Sequence, residues 1–419
     1  MSRCAVRTKL SLVVLLPAIA QASPPVFHAS EILRPEAIRG SDYVVEDRVP
    51  LEDGRYHFTL RTPYGPITAE GLDMLNIRID EMRAIARAEK MKREAPELEG
   101  VKDQIKKTGK GLEALITDPL DALGSIPRGI GRKAKTLTHK STYTKVGSDT
   151  RRKLAAAIGA DPETRNSVLE KLLDEISLRR SLGQGITGAA TLGLTGGAAL
   201  AAQGASALRT TAEMQETLRG TPLYKIKDRI ERDLERMGLS KVAAEEFAEH
   251  KPFTTLQRLQ FVAQLERLAG VGERQRLAHH ALNTNSEAEA LDLIHSVQLL
   301  ADVSDRVPTL NIAQAELPAA RLKDGRLVVV SAADYLLDVE PLLNRLPRAS
   351  VQRPETQMEP PVQDSAHSAG TPDQIAGTPT DTSPPVLFLT AGRVAPQVAE
   401  QLRSAGITVI EKGQVDQLK

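Results

Sequence analysis

From Ser181 to Leu208 the chain runs 28 residues without a single charge, and eight of them are Ala and seven Gly. Small residues recur every fourth position, at Ser181, Gly185, Ala189, Gly193, Gly197, Ala201 and Ala205. On a helix that spacing makes one smooth groove, into which a second backbone can approach closely. As a helix the segment would be about 42 Å long at 1.5 Å per residue, enough to span a bilayer. Each Gly costs about 1 kcal/mol in a helix interior, and Ala and Gly carry little transfer energy. Weak hydropathy thus favours a helix pair buried in a bundle core, and regular spacing favours a membrane face. Gly185, Ala189, Gly193, Gly197, Ala201 and Ala205 are the candidate contact residues in either case.

A basic stretch precedes this segment. Arg128, Arg132, Lys133, Lys135, Lys140, Lys145, Arg151, Arg152 and Lys153 face one acid, Asp149. Bases near a membrane attract anionic headgroups at about 1 kcal/mol each. Arg128, Arg132, Lys133, Lys135, Arg151, Arg152 and Lys153 are the candidate anionic-surface contacts. The bland alternative is a solvated loop balanced by acidic helices elsewhere.

The first residues predict export. Arg3, Arg7 and Lys9 precede the apolar run Leu10–Ala20, and Ala20-Gln21-Ala22 has the small-x-small form of a signal-peptide cleavage site. Cleavage after Ala22 removes Cys4, the one cysteine, and three bases, taking the formal net charge from +1 to −2. The mature chain then has neither a disulfide nor a thiolate. Aromatics number only twelve, with no Trp. That composition, together with export, argues against stacked nucleic acid as a partner.

Periodicity divides the rest. Residues 23–41, with Pro24, Pro25 and Pro35, read as a tether. Residues 42–71 read as a three-stranded meander in which Tyr56, Phe58 and Leu60 share one pleat face and Asp53-Gly54 makes a turn. Residues 72–305 read as a helical body. Asp118-Pro119 and Asp161-Pro162 each place a capping carboxylate before a helix-starting Pro. Gly238 stops a helix that begins after Thr221-Pro222, and Ser286 with Glu289 predicts a capping box. Residues 306–346 read as an α/β segment with a strand at Leu327–Val330 and a helix from Ala332 to Leu346. Residues 347–385 hold eight prolines and little apolar content, which predicts a disordered linker. Residues 386–419 read as a β-α-β tail too small to stand alone, expected to dock on the strands near 310–330. The predicted fold is mostly α, a helical bundle or array with a small N-terminal β meander and a small C-terminal α/β module.

Catalytic and cofactor motifs are mostly missing. Gly129-Ile130-Gly131 follows no strand, and Gly109-Lys110 is followed by Gly111 rather than Ser or Thr. His279 and His280 point about 100° apart on a helix, and only tertiary chance would bring His250 or His295 to them. No catalytic, cofactor or metal residue is nominated. Leu389–Val394 before a helix resembles the strand-loop-helix of rhodanese-like domains over about twenty residues. The sulfur-carrying cysteine of that family has no counterpart here, so the resemblance implies no such activity. Phe58–Gly65, Thr117–Pro119 with Ile126–Arg132, and Gly159–Pro162 resemble a family of exported bacterial envelope proteins to which no activity is attached. That resemblance implies export and a coherent fold. The leading expectation is a non-enzymatic envelope protein binding a protein partner or an anionic membrane surface. The alternatives are an exported hydrolase with a site formed only in three dimensions, or a membrane-inserting protein acting through the glycine-rich helix.

Overall fold

The computed structural model describes residues 24–94, 140–181, 210–346 and 385–411. The signal segment, the linker up to residue 384, Asp118-Pro119 and the glycine-rich run lie outside the described residues.

The chain opens with β1 (Val26–His28), α1 (Ala29–Ile32), α2 (Pro35–Ile38), β2 (Val44–Val45), β3 (Arg48–Glu52), β4 (Arg55–Thr62) and β5 (Gly65–Glu70). The long β4 organises an all-antiparallel sheet. On one edge it pairs with β5, and along the other it is shared by β3 (Leu51 opposite Tyr56) and β2 (Val45 opposite Leu60). Asp53 and Gly54 both have positive φ, 50° and 77°, as the tight hairpin turn between β3 and β4 requires. Tyr56, Phe58 and Leu60 are buried on one face, following the alternation of the sequence. The expected tether is instead folded from residue 24 onward. β1 adds to β3, Phe27 packs edge-on against Tyr56 with ring centroids 5.5 Å apart, and Pro35 starts α2. A Pro at the first helical turn is an initiator there, not a breaker.

Helices follow: α3 (Leu72–Glu94), α4 (Lys140–Ile158), α5 (Ser167–Ser181), α6 (Ala212–Gly220), α7 (Leu223–Arg236), α8 (Lys241–Glu249), α9 (Thr255–Arg267), α10 (Gln275–Leu282) and α11 (Glu287–Ser304). Gly238, with φ of 99°, ends the α7 segment as its sequence suggests. Ser286 Oγ accepts the Glu289 N–H at 3.2 Å, but the Glu289 carboxylate accepts from Asn285, so only half of the expected capping box forms. Asp161-Pro162 does not start a helix. Asp161 Oδ1 accepts the Glu163 N–H in a local turn, and Asn166 caps α5 by accepting the Val168 N–H at 3.1 Å.

The last part comprises β6 (Thr309–Ile312), β7 (Ala319–Leu322), β8 (Leu327–Ser331), β9 (Tyr335–Leu336), α12 (Glu340–Arg345), β10 (Val386–Thr390), β11 (Arg393–Val394), α13 (Pro396–Ser404) and β12 (Ile407–Glu411). The sheet order is β12-β10-β8-β7-β6, parallel across β12, β10 and β8 and antiparallel from β8 to β6. The tail therefore completes a sheet begun before residue 346. Val328, Val330, Leu387 and Leu389 face the helices, while Leu327, Val329, Val386 and Phe388 face α12 and α13. A strand run buried on both faces reads as continuous apolar sequence, which is how Leu327–Val330 reads. The helix expected from Ala332 is displaced. Ala332–Asp334 forms a connection to β9, and only Glu340–Arg345 is helical.

Thirteen helices thus accompany an N-terminal antiparallel sheet and a C-terminal mixed sheet among the described residues. The β portions are more than appendices to a bundle. One apolar core runs from Ala29 through α3, α9 and α11 to Ile410, with α3 packed on β5 and α11 on β8. Thirteen of the 18 residues of α11 are buried, where it packs on α9, β8, α10 and α3.

Candidate functional site

Two nodes of buried charge sit on this core. The first forms where the N-terminal sheet, α3, α11 and the C-terminal sheet meet. Asp334, 8% exposed, receives the Tyr56 N–H at 3.0 Å and the Leu72 N–H at 3.2 Å. It therefore serves as a carboxylate cap for α3, supplied from 262 residues away in the chain. Its backbone is held as well. The Asp334 N–H donates to the Gly54 carbonyl at 2.9 Å, and the Asp334 carbonyl accepts the Arg393 N–H at 3.0 Å. Three glycines make room for this connection: Gly54, Gly71 and Gly392 all lie against Ala333–Tyr335. Phe27 stands edge-on to Tyr56, and the Tyr335 ring is tilted against both.

Next to Asp334 stand two ion pairs. Arg55 Nε meets Asp292 Oδ2 at 2.6 Å, and His295 Nδ1 meets Asp73 Oδ2 at 2.7 Å. Burial pushes the Asp334 carboxyl up to about 7, against the pull of the two N–H donors and with added push from Asp292 and Asp73. Burial likewise raises Asp292, which Arg55 pulls back down.

The second node joins α3, the α4–α5 turn and the N-terminal ends of α9 and α11. Glu81, 6% exposed, accepts from Arg78 at 2.8 Å, from Asn166 Nδ2 at 3.2 Å and from the Thr164 hydroxyl. Glu287 faces Arg78 at 3.5 Å and Arg165 at 3.4 Å. Glu163 accepts the Thr255 N–H at the start of α9, and Asp161 Oδ2 accepts the Thr254 hydroxyl at 2.6 Å. Burial pushes the Asp161 carboxyl upward, opposed by the Thr254 hydrogen bond. Glu81, Glu163, Glu287 and Asp161 are each engaged with a neighbouring element, so the chemistry of the node is that of a clamp.

Sequence-nominated residues fare differently. Arg128, Arg132, Lys133, Lys135, Gly185, Ala189, Gly193, Gly197, Ala201 and Ala205 lie outside the described residues. Arg152 is only 1% exposed. It donates to the carbonyls of Leu218 and Arg219 at the C-terminal end of α6 and pairs with Asp149 at 2.8 Å, which removes it from any surface role. A cation on terminal helix carbonyls satisfies acceptors that have no partner within the helix. Its one sequence signal is its place three residues before the buried Ala155, on the same helix face. Arg151 donates to the Pro162 carbonyl at 3.0 Å and pairs with Asp174, whereas Lys153 is exposed. His250 bonds the Thr284 carbonyl at 2.9 Å and His295 bonds Asp73, so the histidines do not converge. Among the described residues no cluster of three or more His, Cys, Asp or Glu has metal-holding geometry. Asp334 and Glu81 carried no local signal, because each owes its role to partners far along the chain.

One further relation concerns the helix ends. Arg151 in α4 pairs with Asp174 in α5, so these two helices run antiparallel. Glu81 bonds Asn166 and Lys92 meets Glu175 at 2.7 Å, so α3 and α5 run parallel. The end of α3 at Glu94, the start of α4 at Lys140 and the end of α5 at Ser181 therefore lie at the same end of the helical layer. No family model, curated protein or solved structure matches this chain.

Proposed function

We propose that the chain is an exported, non-enzymatic envelope protein that docks on an anionic membrane surface through one end of its helical layer. The observation that carries this reading is the shared end of α3, α4 and α5. The basic stretch enters the described structure at Lys140, at the same end at which α3 stops at Glu94 and the charge-free run leaves at Ser181. The buried charges support the non-enzymatic half of the proposal, since both nodes tie distant elements together. In this reading the helices are the bundle-like working body, and the two sheets fix their mutual positions. No helix among the described residues is long and apolar enough to cross a membrane.

The test has two parts. N-terminal sequencing of the mature protein is expected to begin at Ser23, and a start at Met1 would overturn export. Purified mature protein is expected to sediment with phosphatidylglycerol vesicles at low salt and to be released as salt rises. Reversing Arg128, Arg132, Lys133 and Lys135 to Glu should lower that binding by more than about tenfold, given about 1 kcal/mol per base. Equal binding of the reversed variant, or equal binding to neutral phosphatidylcholine vesicles, would sink the membrane reading.

A further inference from the structure

The Asp334 junction holds more charge than a structural seam needs. It gathers three carboxylates, Asp334, Asp73 and Asp292, with Arg55 on Asp292 and His295 on Asp73. One residue bonds to each of the pieces that meet there. The Asp334 side chain holds β4 and the start of α3, its N–H holds the β3–β4 turn, and its carbonyl holds the tail at Arg393. An apolar residue with the same backbone bonds would carry the tail without any charge cost, and a partly exposed cap would carry α3 without any burial cost.

We propose that this junction is a proton-operated latch, in which proton uptake by the buried Asp334 tightens the seam between the N-terminal sheet and the C-terminal module, and proton loss loosens it. The groups that face Asp334 set its sensitivity. From β4 come Arg55 and Tyr56, from α3 Asp73, and from α11 Asp292 and His295. Tyr335 and the exposed Arg393 flank it along the seam. Glu70 and Glu289 act one step away, on Arg55, and Glu31 lies near Tyr56.

The direction follows from proton linkage. Burial raises the Asp334 carboxyl to about 7 in the closed seam, while an opened seam returns it to the ordinary carboxylate range. The closed seam then holds a proton that the opened seam releases. Its stability falls as pH rises from the ordinary carboxylate range to about 7 and is level above that. Asp73 and Asp292 act in the same direction, because two neighbouring negative charges oppose ionisation of a third. The latch is therefore closed most firmly under mildly acidic conditions and is weakest at neutral and alkaline pH.

Hydrogen exchange of the full mature chain at pH 5 and pH 8, corrected for intrinsic exchange rates, tests this. Peptides covering residues 54–58 and 386–394 are compared with α11 peptides as an internal reference. Protection at the seam is expected to fall roughly tenfold more than in α11 on going to pH 8. Asp334→Asn keeps an acceptor for the N–H donors but has no proton to lose, so it should flatten that difference. Seam protection that is independent of pH in the wild type, or an unchanged pH difference in Asp334→Asn, overturns the latch. A second measurement does not rely on the variant folding. In a carbon-13 carboxyl titration of the wild type, an Asp334 signal titrating between about 6 and 8 supports the proposal, and one titrating near 4 overturns it.

Discussion

Gly392→Ala is expected to unseat the C-terminal tail. A Cβ at this position would lie 2.0 Å from the Asp334 carbonyl oxygen and 2.4 Å from the Ala333 carbonyl oxygen, both backbone atoms. No rotamer change relieves such a clash, and the neighbouring Arg393 N–H is already bonded to that same Asp334 carbonyl. Overpacking in ordinary cores costs about 1–3 kcal/mol, and backbone pressed on backbone belongs at or above the upper end. The expected result is a loss of about 3 kcal/mol or more in urea unfolding and a Tm lower by several degrees. Gly406→Ala is the matched control. Gly406 has φ of 77° but nothing within 4 Å of an added Cβ, so only the left-handed strain of about 1 kcal/mol applies. Equal stability for both variants would show that the seam yields without cost.

Glu81→Ala is the second large effect. Glu81 lies almost wholly inside the helical layer, and it is the shared acceptor for Arg78, Asn166 and Thr164. Truncation strands a guanidinium and two polar groups in a site that offers them little water. Breaking a buried pair by removing one partner costs about 3–5 kcal/mol. Glu287, 3.5 Å from Arg78, retains part of the compensation, so a value near the lower end is expected. Denaturant midpoints measure it, and a double-mutant cycle with Arg78→Ala should return a coupling of at least about 1 kcal/mol. A cost below about 1 kcal/mol for Glu81→Ala would show that solvent fills the node. Glu81→Gln, which keeps an acceptor but loses the charge, should fall between wild type and Glu81→Ala.

How much of this was legible follows the distance over which each interaction acts. The turn at Asp53-Gly54, the alternation of Tyr56, Phe58 and Leu60, the stop at Gly238 and the buried run Leu327–Val330 all depend on neighbours a few residues away. Each reads correctly from the sequence, because a pleat, a turn or a helix end is settled by adjacent dihedral angles and by hydrophobic period. The misreadings share a different cause. Asp161-Pro162 has the form of a helix start, yet the Asp161 carboxylate is drawn to Thr254, 93 residues on, and the helix begins after Asn166 instead. Ala332-Ala333-Asp334 also has the form of a helix start. There the backbone is claimed by Gly54 and Arg393, and the carboxylate caps α3 rather than its own segment.

Neither node was legible as a site for the same reason. Asp334 is 278 residues from Tyr56, and Glu81 is 85 from Asn166, so no spacing or local pattern marks either pair. Arg152 shows the same limit from the other side. In the sequence it is one of nine bases in a charged stretch, and in the fold it is 1% exposed on the carbonyl end of α6. By itself the sequence determined the local elements and the apolar faces they had to bury. Only the tertiary structure decided which charges would be buried with them, because a buried charge is tolerated solely where distant elements bring it partners.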